Sequence, residues 1–148
     1  MNDPKNHHVD ETACKRLEKS WFDGTPLEIE DCLKELPDED LPGTTEELVC
    51  IEMEFLWKES SRAEMTSANK GPLSPTSVEQ YVQRFPQLDN FLQIERMVLE
   101  EISCRIQVND LIRPAEYPQR FPGLTTDSSL VRDRLDEIQR RLAFHFSI

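Results

Sequence analysis

Two arginines carry the most suggestive chemistry in this 148-residue chain. Arg84 sits in Tyr81-Val82-Gln83-Arg84-Phe85-Pro86 and Arg120 in Tyr117-Pro118-Gln119-Arg120-Phe121-Pro122, a phrase repeated at five of six positions 36 residues further on. A guanidinium is a planar fork of donors suited to phosphate or carboxylate. An arginine beside a buried phenylalanine, however, usually pairs with a carboxylate on a neighbouring helix, and structural pairing is the reading preferred here. Tyr81 and Tyr117 lie four residues before the phenylalanines, so both rings share a helix face with them and read as core. Trp21 and Trp57 also read as packing, with hot spots for a partner as the alternative.

The other reactive side chains form no constellation. His7-His8 lies in a polar tail, and His145 has no ligand companions. Cys14, Cys32, Cys50 and Cys104 show no C-x-x-C spacing, and the last three sit among apolar residues, as reduced, buried thiols do. Glu100-Glu101 reads as the charged face of an amphipathic helix rather than a catalytic pair. No phosphate-cradling glycine loop, zinc motif or nucleophile elbow occurs, and the four glycines are scattered. No residue is assigned a catalytic, cofactor-binding or metal-binding role, and no cofactor is expected.

Charge divides the chain. Residues 1–60 hold 17 acidic and 6 basic side chains, and residues 61–148 hold 12 and 11. So acidic a front half repels nucleic acid and anionic membranes. It reads as a solvated surface or as a docking face for a basic partner. With no signal peptide and no run long enough to span a membrane, a cytoplasmic location is expected.

Helical periodicity organises the rest, and the fold class expected is all-α. Residues 1–9 read as a disordered tail. Asp10 caps a helix to about Phe22, with Ala13, Leu17 and Trp21 on one stripe. Thr25-Pro26-Leu27-Glu28 predicts the start of a short helix that runs to Leu36 and stops at Pro37. Thr44 and Glu47 have capping-box spacing and predict a long helix toward Arg62. Ser60 to Pro75 is polar and small and is expected to be flexible, with 60–76 as a linker between units 10–59 and 77–148. A short helix starting near Ser74 or Ser77 ends at Pro86. A long one from Asp89 or Asn90 ends at Asn109-Asp110. Pro114 opens a third short helix, and Asp127 or Ser128 caps the last long one.

Long and short helices thus alternate in about three tandem units on a shared core. Each short helix has a proline near its start (Pro26, Pro75, Pro114) and an apolar residue followed by proline at its end (Leu36-Pro37, Phe85-Pro86, Phe121-Pro122). Proline in the first turn forfeits no helical hydrogen bond, and after the last turn it blocks extension.

The run Arg16-Leu17-x-x-x-Trp21-x-x-Gly24-x-x-x-x-Ile29-Glu30-Asp31-Cys32-Leu33, then Pro37, resembles the leader ahead of the catalytic domain in planctomycete-type bacterial serine/threonine protein kinases. Glu46-Glu47-Leu48 through Trp57-Lys58 is similar to the helix that follows there, and Tyr81–Pro86 and Pro114–Pro122 are similar to its Pro-x-x-Glu-Tyr-x-x-Arg-Phe-Pro phrase. Cys32 departs from the pattern, which has an aromatic there, and no kinase motif follows. The resemblance implies a non-catalytic protein–protein interaction module that docks onto or regulates a serine/threonine kinase domain. Two alternatives are the front portion of a kinase whose catalytic domain lies beyond Ile148, and a stand-alone signalling adaptor. Phosphorylation of Ser60, Ser61, Thr66, Ser67, Ser74 or Thr76 by that kinase is a further expectation.

Overall fold

Caps begin the helices where polar side chains reach back to free amides. Asp10 accepts from the Ala13 amide at 2.9 Å and opens α1 (Glu11–Phe22). Ser77 and Gln80 form a reciprocal capping box at the start of α4 (Val78–Arg84). Asn90 accepts from the Gln93 amide at 3.1 Å ahead of α5 (Phe91–Gln107). Ser128 does the same for Val131 ahead of α8 (Ser129–Phe146). The remaining helices are α2 (Ile29–Leu33), α3 (Leu41–Met65), α6 (Glu116–Arg120) and α7 (Pro122–Asp127). This computed structural model describes residues 8–65 and 75–146, with side chains in 8–61 and 75–141. Among the described residues there is no strand, and the fold is all-α.

Several boundaries differ from the sequence expectation. Thr25-Pro26 does not start a helix, because the Thr25 amide bonds back to the Ser20 carbonyl at 3.0 Å and the Leu27 amide to Ser20 Oγ at 3.0 Å. Residues 25–28 stay outside any helix; α2 starts at Ile29 and ends at Leu33, short of Leu36. Thr44 caps nothing: its Oγ1 accepts from the Asp10 amide at 2.8 Å, tying α1 to α3. The α3 helix instead starts at Leu41, where Pro42 in the first turn costs no helical bond. It also continues through Ser60 to Met65, so the first residues assigned to a flexible linker are helical. Tail residues 1–7 and linker residues 66–74 lie outside the described residues. Pro114 precedes α6 by two residues, and an unforeseen α7 begins at Pro122.

The long helices α1 and α5 end in the same way. After α1, the Asp23, Gly24 and Thr25 amides bond to the Lys19, Trp21 and Ser20 carbonyls. After α5, the Val108, Asn109 and Asp110 amides bond to Cys104, Ile106 and Arg105, every residue 85 further along. This Schellman ending needs a residue at positive φ. Gly24 (φ 81°) and Asn109 (φ 59°) supply it.

One core joins the elements. The fully buried Leu17, Leu48, Met53, Tyr81, Met97, Ile102, Tyr117 and Val131 belong to a single cluster spanning α1 to α8. Each such side chain contributes roughly 1.5–3 kcal/mol. α3 is the hub, packed on α1, α2 and α5, and α5 in turn carries α4 and α8.

Candidate functional site

The repeated phrase builds two matching networks. Tyr81 donates its hydroxyl to Glu52 Oε1 of α3 at 2.9 Å, and Arg84 Nη1 donates to the same oxygen at 3.2 Å. Tyr117 and Arg120 do likewise to Glu101 of α5, at 2.5 and 2.7 Å. The rest of each guanidinium forks onto the preceding short helix. Arg84 Nε and Nη2 reach Glu30 at 2.8 and 2.5 Å, and Arg120 Nε and Nη2 reach Glu79 at 2.8 and 2.5 Å. The structural reading of both arginines therefore holds: each bidentate pair ties its short helix to the short helix before it, α4 to α2 and α6 to α4.

Glu101 corrects the expectation of a solvated Glu100-Glu101 face. It is 2% exposed and accepts from Tyr117, Arg120 and the Val78 amide. Burial pushes the Glu52 carboxyl above the ordinary range, against the opposing pull of Tyr81 and Arg84. Hydrogen bonds from Arg84 and Arg120 hold Glu30 and Glu79 below it. Burial and the neighbouring carboxylates push both tyrosine hydroxyls up, so they stay protonated.

The cysteines are free, with Cys32, Cys50 and Cys104 buried and Cys14 half-buried. Burial pushes the Cys14 thiol up to about 11 and Cys104 to about 12, away from thiolate chemistry. Among the described residues no group of three His, Cys, Asp or Glu is placed to hold a metal ion. His8 is exposed, whereas His7 and the side chain of His145 lie outside the described residues. No helix among the described residues is long and apolar enough to cross a membrane.

The α1–α2 pair carries other residues at the positions that build the network. Cys32 precedes Pro37 by as many residues as Tyr81 precedes Pro86 and Tyr117 precedes Pro122. Glu35 then stands where the arginines stand. On α1, Arg16 stands 16 residues before Cys32, as Glu101 stands 16 before Tyr117. Charge is thus exchanged between long and short helix, and the tyrosine is missing.

A separate surface site lies between α1 and α3. Trp21 stacks on Phe55 with centroids 5.4 Å apart and planes 6° apart, and Phe22 meets Phe55 edge-on at 5.3 Å. Phe22 is 74% exposed. These rings line a cleft of about 530 Å³ together with Glu18, Glu54 and Glu59. Lys58 on its rim pairs with Glu54 at 2.8 Å. Among the described residues the buried indole N–H groups of Trp21 and Trp57 have no acceptor. Arg105 lies 5.8 Å from the Trp57 ring centroid.

Some of these residues were readable in principle. Cys14, Leu17, Glu18 and Trp21 are matched 36 residues on by Cys50, Met53, Glu54 and Trp57. That second periodicity marks both tryptophans as one position of a repeat. No signal singled out Phe22 or the burial of Glu52 and Glu101, since glutamate on an amphipathic helix reads as solvated. Comparison with known proteins finds no matching family model, no matching curated protein and no matching solved structure.

Proposed function

We propose that this chain is a non-catalytic interaction module whose acidic aromatic cleft docks a basic segment of a serine/threonine kinase domain. The carrying observation is Phe22, exposed on a stack of rings and surrounded by Glu18, Glu54 and Glu59. Aromatic faces attract guanidinium and ammonium groups within about 6 Å. Within this molecule Arg105 already uses the related Trp57 in that way. The carboxylates add the field that steers a cation in, as the charge of the front half leads one to expect. The resemblance to a kinase leader supplies the class of partner.

Titration of a cognate kinase domain by calorimetry tests this reading. Phe22→Ala is expected to weaken binding by about 10- to 30-fold, in the range of an aromatic hot spot. Glu18→Gln is expected to lessen the loss of affinity with added salt. No binding, together with no change in phosphorylation by the kinase, would sink the reading.

A further inference from the structure

The later short helices each seat a tyrosine against the long helix before them, and the first does not. At its equivalent place an open cleft of about 430 Å³ lies between α1 and α2, lined by Thr12, Arg16, Asp31, Cys32 and Glu35 among others. Cys32 is the residue in register with Tyr81 and Tyr117, and this buried, small side chain forms part of the cleft lining. The α1 ending that shapes this junction repeats the α5 ending bond for bond.

We propose that this cleft receives a tyrosine side chain from a partner protein. The chemistry follows the occupied site at α5–α6. There the Tyr117 hydroxyl accepts from Arg105 Nη1 at 3.3 Å while donating to Glu101, and the Arg120 guanidinium lies 4.8 Å from the ring centroid. In the open cleft Arg16 supplies the guanidinium, and Asp31 and Glu35 supply acceptors for the phenol proton. A leucine would leave those polar groups facing an apolar surface. A phosphate would meet Asp10, Asp31 and Glu35 against Arg16 and Lys34. A neutral group that donates, accepts and offers a ring face fits best, and tyrosine is that group.

NMR titration of the labelled chain with N-acetyl-tyrosinamide and N-acetyl-leucinamide tests the proposal. The tyrosine probe is expected to give saturable shifts at the amides of Thr12, Arg16, Cys32 and Glu35, with the leucine probe at least about fivefold weaker. Cys32→Tyr should fill the cleft from within, abolish those shifts and raise Tm. Arg16 is exposed, so Arg16→Ala should leave Tm unchanged while weakening the tyrosine probe. Equal response to both probes, shifts that persist in Cys32→Tyr, or a lowered Tm in that variant would overturn the assignment. Failure here leaves the Phe22 cleft untouched, because the two sites share no lining residue.

Discussion

The α1–α2 and α5–α6 junctions carry the same three terminal hydrogen bonds, yet one closes around a tyrosine–glutamate–arginine network and the other stays open beside a cysteine. The difference separates two jobs. Helix endings and the proline frame set the backbone path at both junctions. The buried network sets something else, the attachment of α4 and α6 to the helices before them. Where the network is absent the path survives, and the space it would fill becomes available to another molecule.

The sharpest way to break this comparison is to remove the central carboxylate. Glu101→Ala leaves the Tyr117 hydroxyl, part of the Arg120 guanidinium and the Val78 amide without their acceptor. It is expected to cost about 3–5 kcal/mol in urea unfolding. Arg16→Ala, at the matching position of the open junction, should cost under about 0.5 kcal/mol. Similar losses for the two would mean that both junctions depend on their charges alike.

Exchanging charge within the closed junction asks whether the first unit's arrangement works there. Glu101→Arg and Arg120→Glu should each be severely destabilising. The double variant should recover about 1–3 kcal/mol of their summed loss, read from a double-mutant cycle. Strict additivity would argue that the two side chains do not act as a pair.

Removing one hydroxyl is a smaller step. Tyr117→Phe and Tyr81→Phe should each cost about 1–2 kcal/mol, since each leaves a buried glutamate one donor short. A loss at only one of the two sites would show that the networks are not equivalent.

Acid tests the forks together. Glu30 and Glu79 lie below the ordinary value of 4.5 because of their arginines, and for Glu116 the pull of Arg105 and Arg120 outweighs burial. A lowered carboxyl contributes stability that is fully present above the unfolded value and is lost as pH falls through the folded one. The urea midpoint should therefore drop from about pH 4.5 toward pH 3, partly offset by Glu52, whose value is raised. A midpoint that stays flat to about pH 3 would show that the forks do not outweigh the raised Glu52 and Glu100.

The positive-φ residues should show the smallest contrast. Gly24→Ala forces a side chain into the left-handed region at about 1–2 kcal/mol, although open space surrounds its Cβ. Asn109→Gly should change thermal stability by less than about 0.5 kcal/mol, because asparagine tolerates that region. A large loss on Asn109→Gly would mean that its side chain holds the ending together.

How much of this was legible follows from which forces act locally. The all-α class, the caps at Asp10, Ser77, Asn90 and Ser128, and the packing role of the repeated tyrosines rest on short-range pattern, and the structure has them in place. Thr25 and Thr44 misled because partners distant in space or on another element took their groups: Ser20 claimed the residues after Gly24, and Asp10 claimed Thr44. The buried glutamates were illegible because a carboxylate enters a core only when several donors converge on it. For Glu101 those donors come from two separate helices, α4 and α6. The exchanged charges of the first unit hid its kinship with the others, since Arg16 and Glu35 reverse the signs a repeat search would match.

The forks also have a direction. Arg84 reaches back to Glu28, Glu30 and Glu52, Arg96 to Glu46 and Glu47, and Arg120 to Glu79 and Glu101. A ribosome delivers the chain from its N-terminus at about 5–20 residues per second. Each of these arginines therefore emerges after its acceptors have already left the tunnel. Assembly can follow synthesis, α4 and α6 each finding carboxylates waiting on structure already made.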